Sequence, residues 1–174
     1  MDFDLHRCVR INEDAALQRL RNISLMVAII LWATLLGGIV YSHIVFFPIY
    51  LSALPDSANL VHGPYALNDS SFWVLLHPLT ILMLVLTLIL NWSVKRRRVL
   101  IAISCAVYAL AIIATALYFV PELRAFLASP ESSVSRAEWF ARGQRWQHLS
   151  WVRGVFMYLA FIPLLLAWRE SSRA

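Results

Sequence analysis

Four histidines, His43, His62, His77 and His148, fall toward one side of a chain that otherwise reads as four membrane-crossing segments; the fifth, His6, lies in the polar amino-terminal arm. An imidazole in or near a lipid-buried segment is costly, so four in one membrane half point to proton transfer or to metal ligation. A transition-metal shell needs three or four convergent ligands, and neutral imidazole suits copper, iron or zinc. The candidate ligands are His43, His77, His148 and His62, joined by Glu122, for a copper or iron ion or a haem. No HxxxH or HExxH pair occurs, so local spacing lends the metal reading no support of its own. The competing reading makes His62, His77 and His148 interfacial residues facing water or headgroups and leaves His43 as the deepest of the set.

Three further residues carry chemistry. Arg153 is the most expensive residue in the four segments, at roughly 2.5–3.5 kcal/mol of insertion cost, and calls for an acidic group, a carbonyl or a bound anion as partner. Tyr118 and Glu122 close a stripe, Ser104, Tyr108, Ala111, Thr115, Tyr118 and Glu122, whose spacings of four and three put it on one helix face. Tyr118 could donate a hydrogen bond to an oxyanion, Glu122 could act as acid, base or ligand, and Arg153 could hold an anionic oxygen. A second stripe runs His77, Thr80, Leu84, Thr87 and Asn91, and a third runs Trp32, Leu36, His43, Phe47 and Tyr50. His43 then lies about 10 Å beyond the membrane centre at the helical rise of about 1.5 Å per residue, at a depth comparable to His77. Trp32 is deep enough to line a substrate cavity, with Tyr50 on the same face. On the last segment Arg142, Trp146, Leu149 and Arg153 align, and His148 points about 140° away from Arg153. That projection separates Arg153 from the histidine site. The small and hydroxyl-bearing residues of the stripes are equally what interhelical packing uses.

The elements that must position these residues follow from composition. The chain has 174 residues, 60% of them hydrophobic and 14% charged, far from a soluble domain's balance. Crossing the hydrocarbon layer takes about 20 apolar residues, and the segments Ile23 to Leu51, Phe72 to Trp92, Val99 to Val120 and Leu149 to Trp168 meet that length. The expected fold is all-α, a single integral-membrane four-helix bundle over 1–174, with an amphipathic arm 1–22 and outer loops 52–71 and 121–148. Asn12 is the candidate cap of a short interfacial helix in the arm. Pro48, with Gly37 and Gly38, should bend the first span. Ser135 and Glu138 form a capping box that starts a helix toward the fourth span, with Gly143 as its weak point. The first span follows several acidic residues and lacks a small-residue cleavage site, so it reads as a retained span rather than a signal peptide. Arg19, Arg21, Lys95 to Arg98 and Arg169 flank the spans and put both termini in the cytoplasm. The expected location is the bacterial inner membrane, as a multi-pass protein. The net charge of +5 serves topology and anionic headgroups, with no aromatic-interleaved patch for nucleic acid. Cys8 and Cys105 form no disulfide framework.

Three segments resemble the anthrone-oxygenase-like family of small four-span membrane proteins. They are Val40-Tyr41-Ser42-His43-Ile44-Val45-Phe46-Phe47-Pro48, then Thr115 through Val120-Pro121-Glu122, and Trp146-Gln147-His148-Leu149-Ser150-Trp151-Val152-Arg153. The family commonly has asparagine where this chain has Glu122. The resemblance implies a four-helix bundle, oxidation of a polycyclic anthrone to an anthraquinone as in the characterised fungal members, and Trp146 and Arg153 as site or packing positions. Together these readings give an oxidoreductase or oxygenase acting on a lipophilic, aromatic small molecule at an outer-side histidine site that takes a metal in one version. The alternative is a non-catalytic accessory subunit or small-molecule binding module, in which the stripes serve packing. A transporter is a weaker third reading, since four spans without an inverted repeat would need a homo-oligomer to form a pathway.

Overall fold

The computed structural model of the chain describes residues 2–53, 56–62, 64–67, 69–127 and 135–170. Helix α1 spans Asp2–Tyr41, widens into a π-helical turn at Ser42–Phe46 and continues as α2, Phe47–Ser52. A 3₁₀ turn, Asp56–Leu60, precedes α3 at Ser70–Leu90. Helix α4, Lys95–Ala114, opens into a second π turn at Thr115–Phe119 and runs on as α5, Val120–Leu127, before the long α6 at Arg136–Arg169. Among the described residues there is no strand, and four helical segments are long and apolar enough to cross a membrane: Asn12–Ser52, Ser70–Leu90, Lys95–Phe126 and Arg136–Arg169. Helix α1 packs on α3 and α6, and α4 packs on α6 and α3, which closes the four into a bundle.

Helix lengths depart from the sequence reading in an informative way. Asn12 caps nothing, because α1 runs through it from Asp2. The 41 residues of the first segment would extend roughly 60 Å at the α-helical rise, about twice the hydrocarbon thickness, so the amphipathic arm continues the first span instead of lying apart from it. Ser135 does cap α6, its hydroxyl accepting the Glu138 N–H at 3.2 Å. Gly143 does not interrupt that helix; a Cβ there would stand 3.3 Å from Leu51, so the glycine lets α2 close on α6.

Both π turns have one local cause. Pro48 and Pro121 each follow the last residue of a π turn by two positions. A proline lacks an N–H and its ring crowds the carbonyl four residues back, which here is Ile44 or Leu117, inside the turn. The helix answers by widening: the Phe47 and Val120 N–H groups reach back five residues, to the carbonyls of Ser42 and Thr115.

The polar stripes turn inward as their periodicity requires. Thr80, Leu84, Thr87 and Asn91 are buried, as are Ser104 and Tyr108, and so are Trp32, Leu36, His43, Phe47 and Tyr50. The opposite faces expose Ile89, Leu110, Leu117, Val155 and Leu159, the side chains lipid would cover. At the end of the bundle that carries the termini, Arg97 is 1% exposed and donates to Asn22 Oδ1 (2.9 Å), Asn91 Oδ1 (3.1 Å) and the Ala167 carbonyl (3.3 Å). That one guanidinium ties α1, the α3–α4 connection and α6.

Candidate functional site

The two π turns bring their residues together toward the loop end of the bundle, and α6 crosses beside them. His43, 3% exposed, is the second residue of the first turn, and its Nδ1 donates to the Ile39 carbonyl at 2.7 Å. A carbonyl can only accept, so in the neutral ring the proton sits on Nδ1 and Nε2 carries a bare lone pair. Nε2 is buried and has no hydrogen-bond partner. Aromatic rings enclose it: Trp151 at 4.8 Å, Phe47 at 5.4 Å and Trp146, stacked at 6.4 Å. Trp146 is fixed in turn by its Nε1–H, which donates to the Phe119 carbonyl at 3.0 Å.

His77 is half-buried on α3, stacked on Trp73, and its Nδ1 lies 2.7 Å from the Tyr108 hydroxyl. Thr80 donates to the Leu76 carbonyl at 2.7 Å. His77 Nδ1 and the Tyr108 hydroxyl pair in one of two ways: Nδ1–H donates to the Tyr108 oxygen and leaves Nε2 bare, or Tyr108 O–H donates to a bare Nδ1.

Arg153 departs from its helix-face projection. Its guanidinium donates to Thr115 Oγ1 (2.7 Å) and Ser150 Oγ (2.9 Å), lies 4.1 Å from the centre of the Phe119 ring, and is close enough for its charge to act on both His43 and His77. A long side chain ends far from where its Cα points, and the wide turn at Thr115–Phe119 presents the hydroxyl and the ring that receive it. Thr115 is held by its own bond to the Ala111 carbonyl at 2.6 Å, so its oxygen faces the guanidinium as an acceptor. Among the described residues no carboxylate pairs with Arg153. Among the described residues, two of its five N–H donors are used.

The other expected site residues lie elsewhere. Glu122, beyond the second π turn, is gripped by both arms of Arg142 at 2.8 and 2.9 Å, and with Tyr118, Glu138 and Arg145 it lines a separate polar cleft of about 460 Å³. An extra residue in a helical turn rotates the downstream residues by about 100°, which carries Glu122 off the Ser104–Tyr108 face. Tyr118 goes with it. His62 and His148 are exposed. Among the described residues no three His, Cys, Asp or Glu side chains gather as metal ligands, so the four histidines do not fit the expected copper or iron shell. Trp32 is a fully buried core residue against Tyr108 and Phe161, and Tyr50 donates to the Phe126 carbonyl at 2.8 Å, tying α2 to α5. Neither of them meets the histidines. Sequence reasoning passed over Ser150, Thr115 as the arginine's partner, and Trp151. The prolines two residues past each turn were the signal that could have found them. No known protein family, curated protein or solved structure matches the chain.

Proposed function

We propose that this chain is an integral-membrane oxidoreductase of the oxygenase type, in which Arg153 holds the oxyanion of a lipophilic aromatic substrate and His43 and His77 accept its proton. The half-buried guanidinium bonded to two hydroxyls and to no described carboxylate carries this reading: a cation within an apolar span needs an anion, and the protein's described residues do not supply one. His43 offers a bare Nε2 beside that cation, and His77 offers one when its Nδ1–H donates to Tyr108, the arrangement a general base needs beside a developing negative oxygen. The resemblance to the anthrone-oxygenase-like family supports the same chemistry. In an anthrone the ring CH₂ lies across the central ring from the carbonyl and is conjugated with it through the flanking aromatic rings; it loses a proton to imidazole, the electron pair is delocalised onto the carbonyl oxygen, and the resulting phenolate-type anion is the electron-rich form that dioxygen oxidises. Overall, CH₂ and O₂ give C=O and H₂O.

The basic residues Arg19, Arg21, Lys95 to Arg98 and Arg169 at the terminal end favour a cytoplasmic position for both termini, with the site toward the outer half of a bacterial inner membrane. The test uses the full chain in lipid nanodiscs and 4-nitrophenol, whose phenol and phenolate differ in colour. Bound probe should ionise about one to three pH units below free probe, as an acid beside a guanidinium does, and Arg153→Met should abolish the shift. An unchanged shift in the variant refutes the assignment. Binding without dioxygen-dependent turnover of an anthrone would assign the chain as a non-catalytic small-molecule module.

A further inference from the structure

Helix α1 and the start of α3 enclose a groove of about 460 Å³, open on one side, whose lining includes Gly37, Ser42, Phe46, Asp69, Phe72 and Trp73. It adjoins the histidine and arginine site without sharing its arginine: Ser42 and Phe46 belong to the same π turn as His43, and Trp73 stacks on His77.

Two observations point to an occupant. The adjacent glycines differ in kind. A Cβ at Gly38 would stand 2.6 Å from the Phe72 ring, so close packing explains that glycine, whereas a Cβ at Gly37 would meet nothing within 4 Å. A glycine inside a helix costs about 1 kcal/mol relative to alanine, and Gly37 recovers none of it through packing with the protein. The second observation is Ser42, which is 6% exposed and lines the groove, and whose hydroxyl is not among the sealed, partnerless polar atoms of the described residues, so it is reachable from the groove. A helical serine can bond the carbonyl four residues back; this one does not, and its hydroxyl is left for the groove.

We infer that the α1–α3 groove binds a neutral, flat, ring-bearing lipophile whose hydroxyl or carbonyl oxygen bonds Ser42 while its ring lies over Gly37 against Phe46, Phe72 and Trp73. The volume is that of a small-molecule site. The charge pattern sets the ionisation state. Asp69 stands at the lip, its Oδ2 accepting the Trp73 Nε1–H at 2.8 Å, and no lysine or arginine lines the groove, so an anion is disfavoured there. Resting on the function proposed above, the groove is the place where the substrate waits un-ionised, entering sideways from the bilayer, before it meets the histidines and Arg153.

The test is photolabelling of the full chain in nanodiscs with 4-hydroxybenzophenone, kept below its own ionisation pH, with adducts mapped by mass spectrometry. Adducts are expected on Tyr41, Phe46 and Phe72. Gly37→Leu extends a side chain from an open Cβ position into the groove and should lower labelling there at least fivefold with no loss of thermal stability. Ser42→Ala should lower it about two- to tenfold, the worth of one hydrogen bond, and leave labelling by unsubstituted benzophenone unchanged. Arg153→Met should label as wild type, so loss of the groove and loss of the oxyanion site are read by different variants. Adducts spread evenly over lipid-facing residues such as Leu110 and Val155, or equal labelling of Gly37→Leu, overturn the inference.

Discussion

Arg153 and Arg97 are both held by neutral acceptors, without a described carboxylate at hydrogen-bond distance, and replacing each by methionine should separate a ligand-binding cation from a structural one. Arg153→Met removes two charge-assisted hydrogen bonds, each worth about 1.5–3 kcal/mol, and a ring contact worth about 0.5–2 kcal/mol. It also relieves an insertion cost of roughly 2.5–3.5 kcal/mol. Thr115 keeps its own bond to Ala111, so little is left stranded. These ranges leave a net cost of about 0–5.5 kcal/mol. Arg97→Met is different, because three acceptors on separate elements lose their common donor around a side chain 1% exposed. Three bonds to a charged group at about 1.5–3 kcal/mol each give about 4.5–9 kcal/mol, and Arg97 lies at the span end where little insertion cost is recovered. Thermal unfolding in detergent, followed by tryptophan fluorescence, should therefore show a smaller drop for Arg153→Met than for Arg97→Met. The 4-nitrophenol shift should vanish in the first variant and survive in whatever fraction of the second remains folded. If Arg153→Met unfolds as readily as Arg97→Met, or keeps the shift, Arg153 is a structural residue and the oxyanion argument fails.

The Ile39 bond fixes His43 as the Nδ1–H tautomer, and the proposed proton transfer requires the same of His77; ¹⁵N spectra of histidine-labelled protein should show protonated Nδ1 and bare Nε2 on both, and Tyr108→Phe should release the constraint on His77 alone. Signals with the proton on Nε2 would remove the proposed bases. Gly37→Ala should stabilise the protein by up to about 1 kcal/mol through helix propensity, whereas Gly38→Ala, pressed against Phe72, should destabilise it by about 1–3 kcal/mol; thermal unfolding of the pair with the same sign would contradict the packing. Glu122→Gln should cost about 1–2 kcal/mol by weakening the two-armed bond with Arg142, yet leave the 4-nitrophenol shift in place. Loss of that shift would return Glu122 to the site.

Much of the bundle is legible in the sequence because lipid imposes a simple rule. Runs of apolar residues mark the spans, and the His77 to Asn91 and Ser104 to Tyr108 stripes turn inward because hydrocarbon offers their polar groups no partners. The Ser135 cap is legible for a similarly local reason, a serine followed three residues later by a glutamate. The site is less so, since a helical wheel assumes a constant 100° per residue and both π turns violate it. Counting straight through Thr115–Phe119 keeps Glu122 in the stripe, while the widened turn hands it to Arg142. The wheel also describes where a Cα faces, which says little about a guanidinium at the end of a long stem; Arg153 reaches Thr115 on another helix.

The two failures share one origin, and it bears on how the site is built. Pro48 and Pro121 stand at equivalent distances past their π turns, and each turn contains a polar residue that bonds the carbonyl four residues before it: His43 to Ile39 and Thr115 to Ala111. Those bonds do more than satisfy backbone. The first fixes which imidazole nitrogen is left bare, and the second fixes which face of a hydroxyl meets Arg153. Such bonds do not depend on a broken ladder: Thr80 bonds the Leu76 carbonyl in regular helix, and the Ala111 carbonyl accepts the Thr115 N–H as well as its hydroxyl. What the prolines change is position: the two widened turns lie within reach of α6, and the residues they carry there already oriented are the ones the proposed chemistry needs held still, the proton acceptor and the hydroxyl that seats the cation.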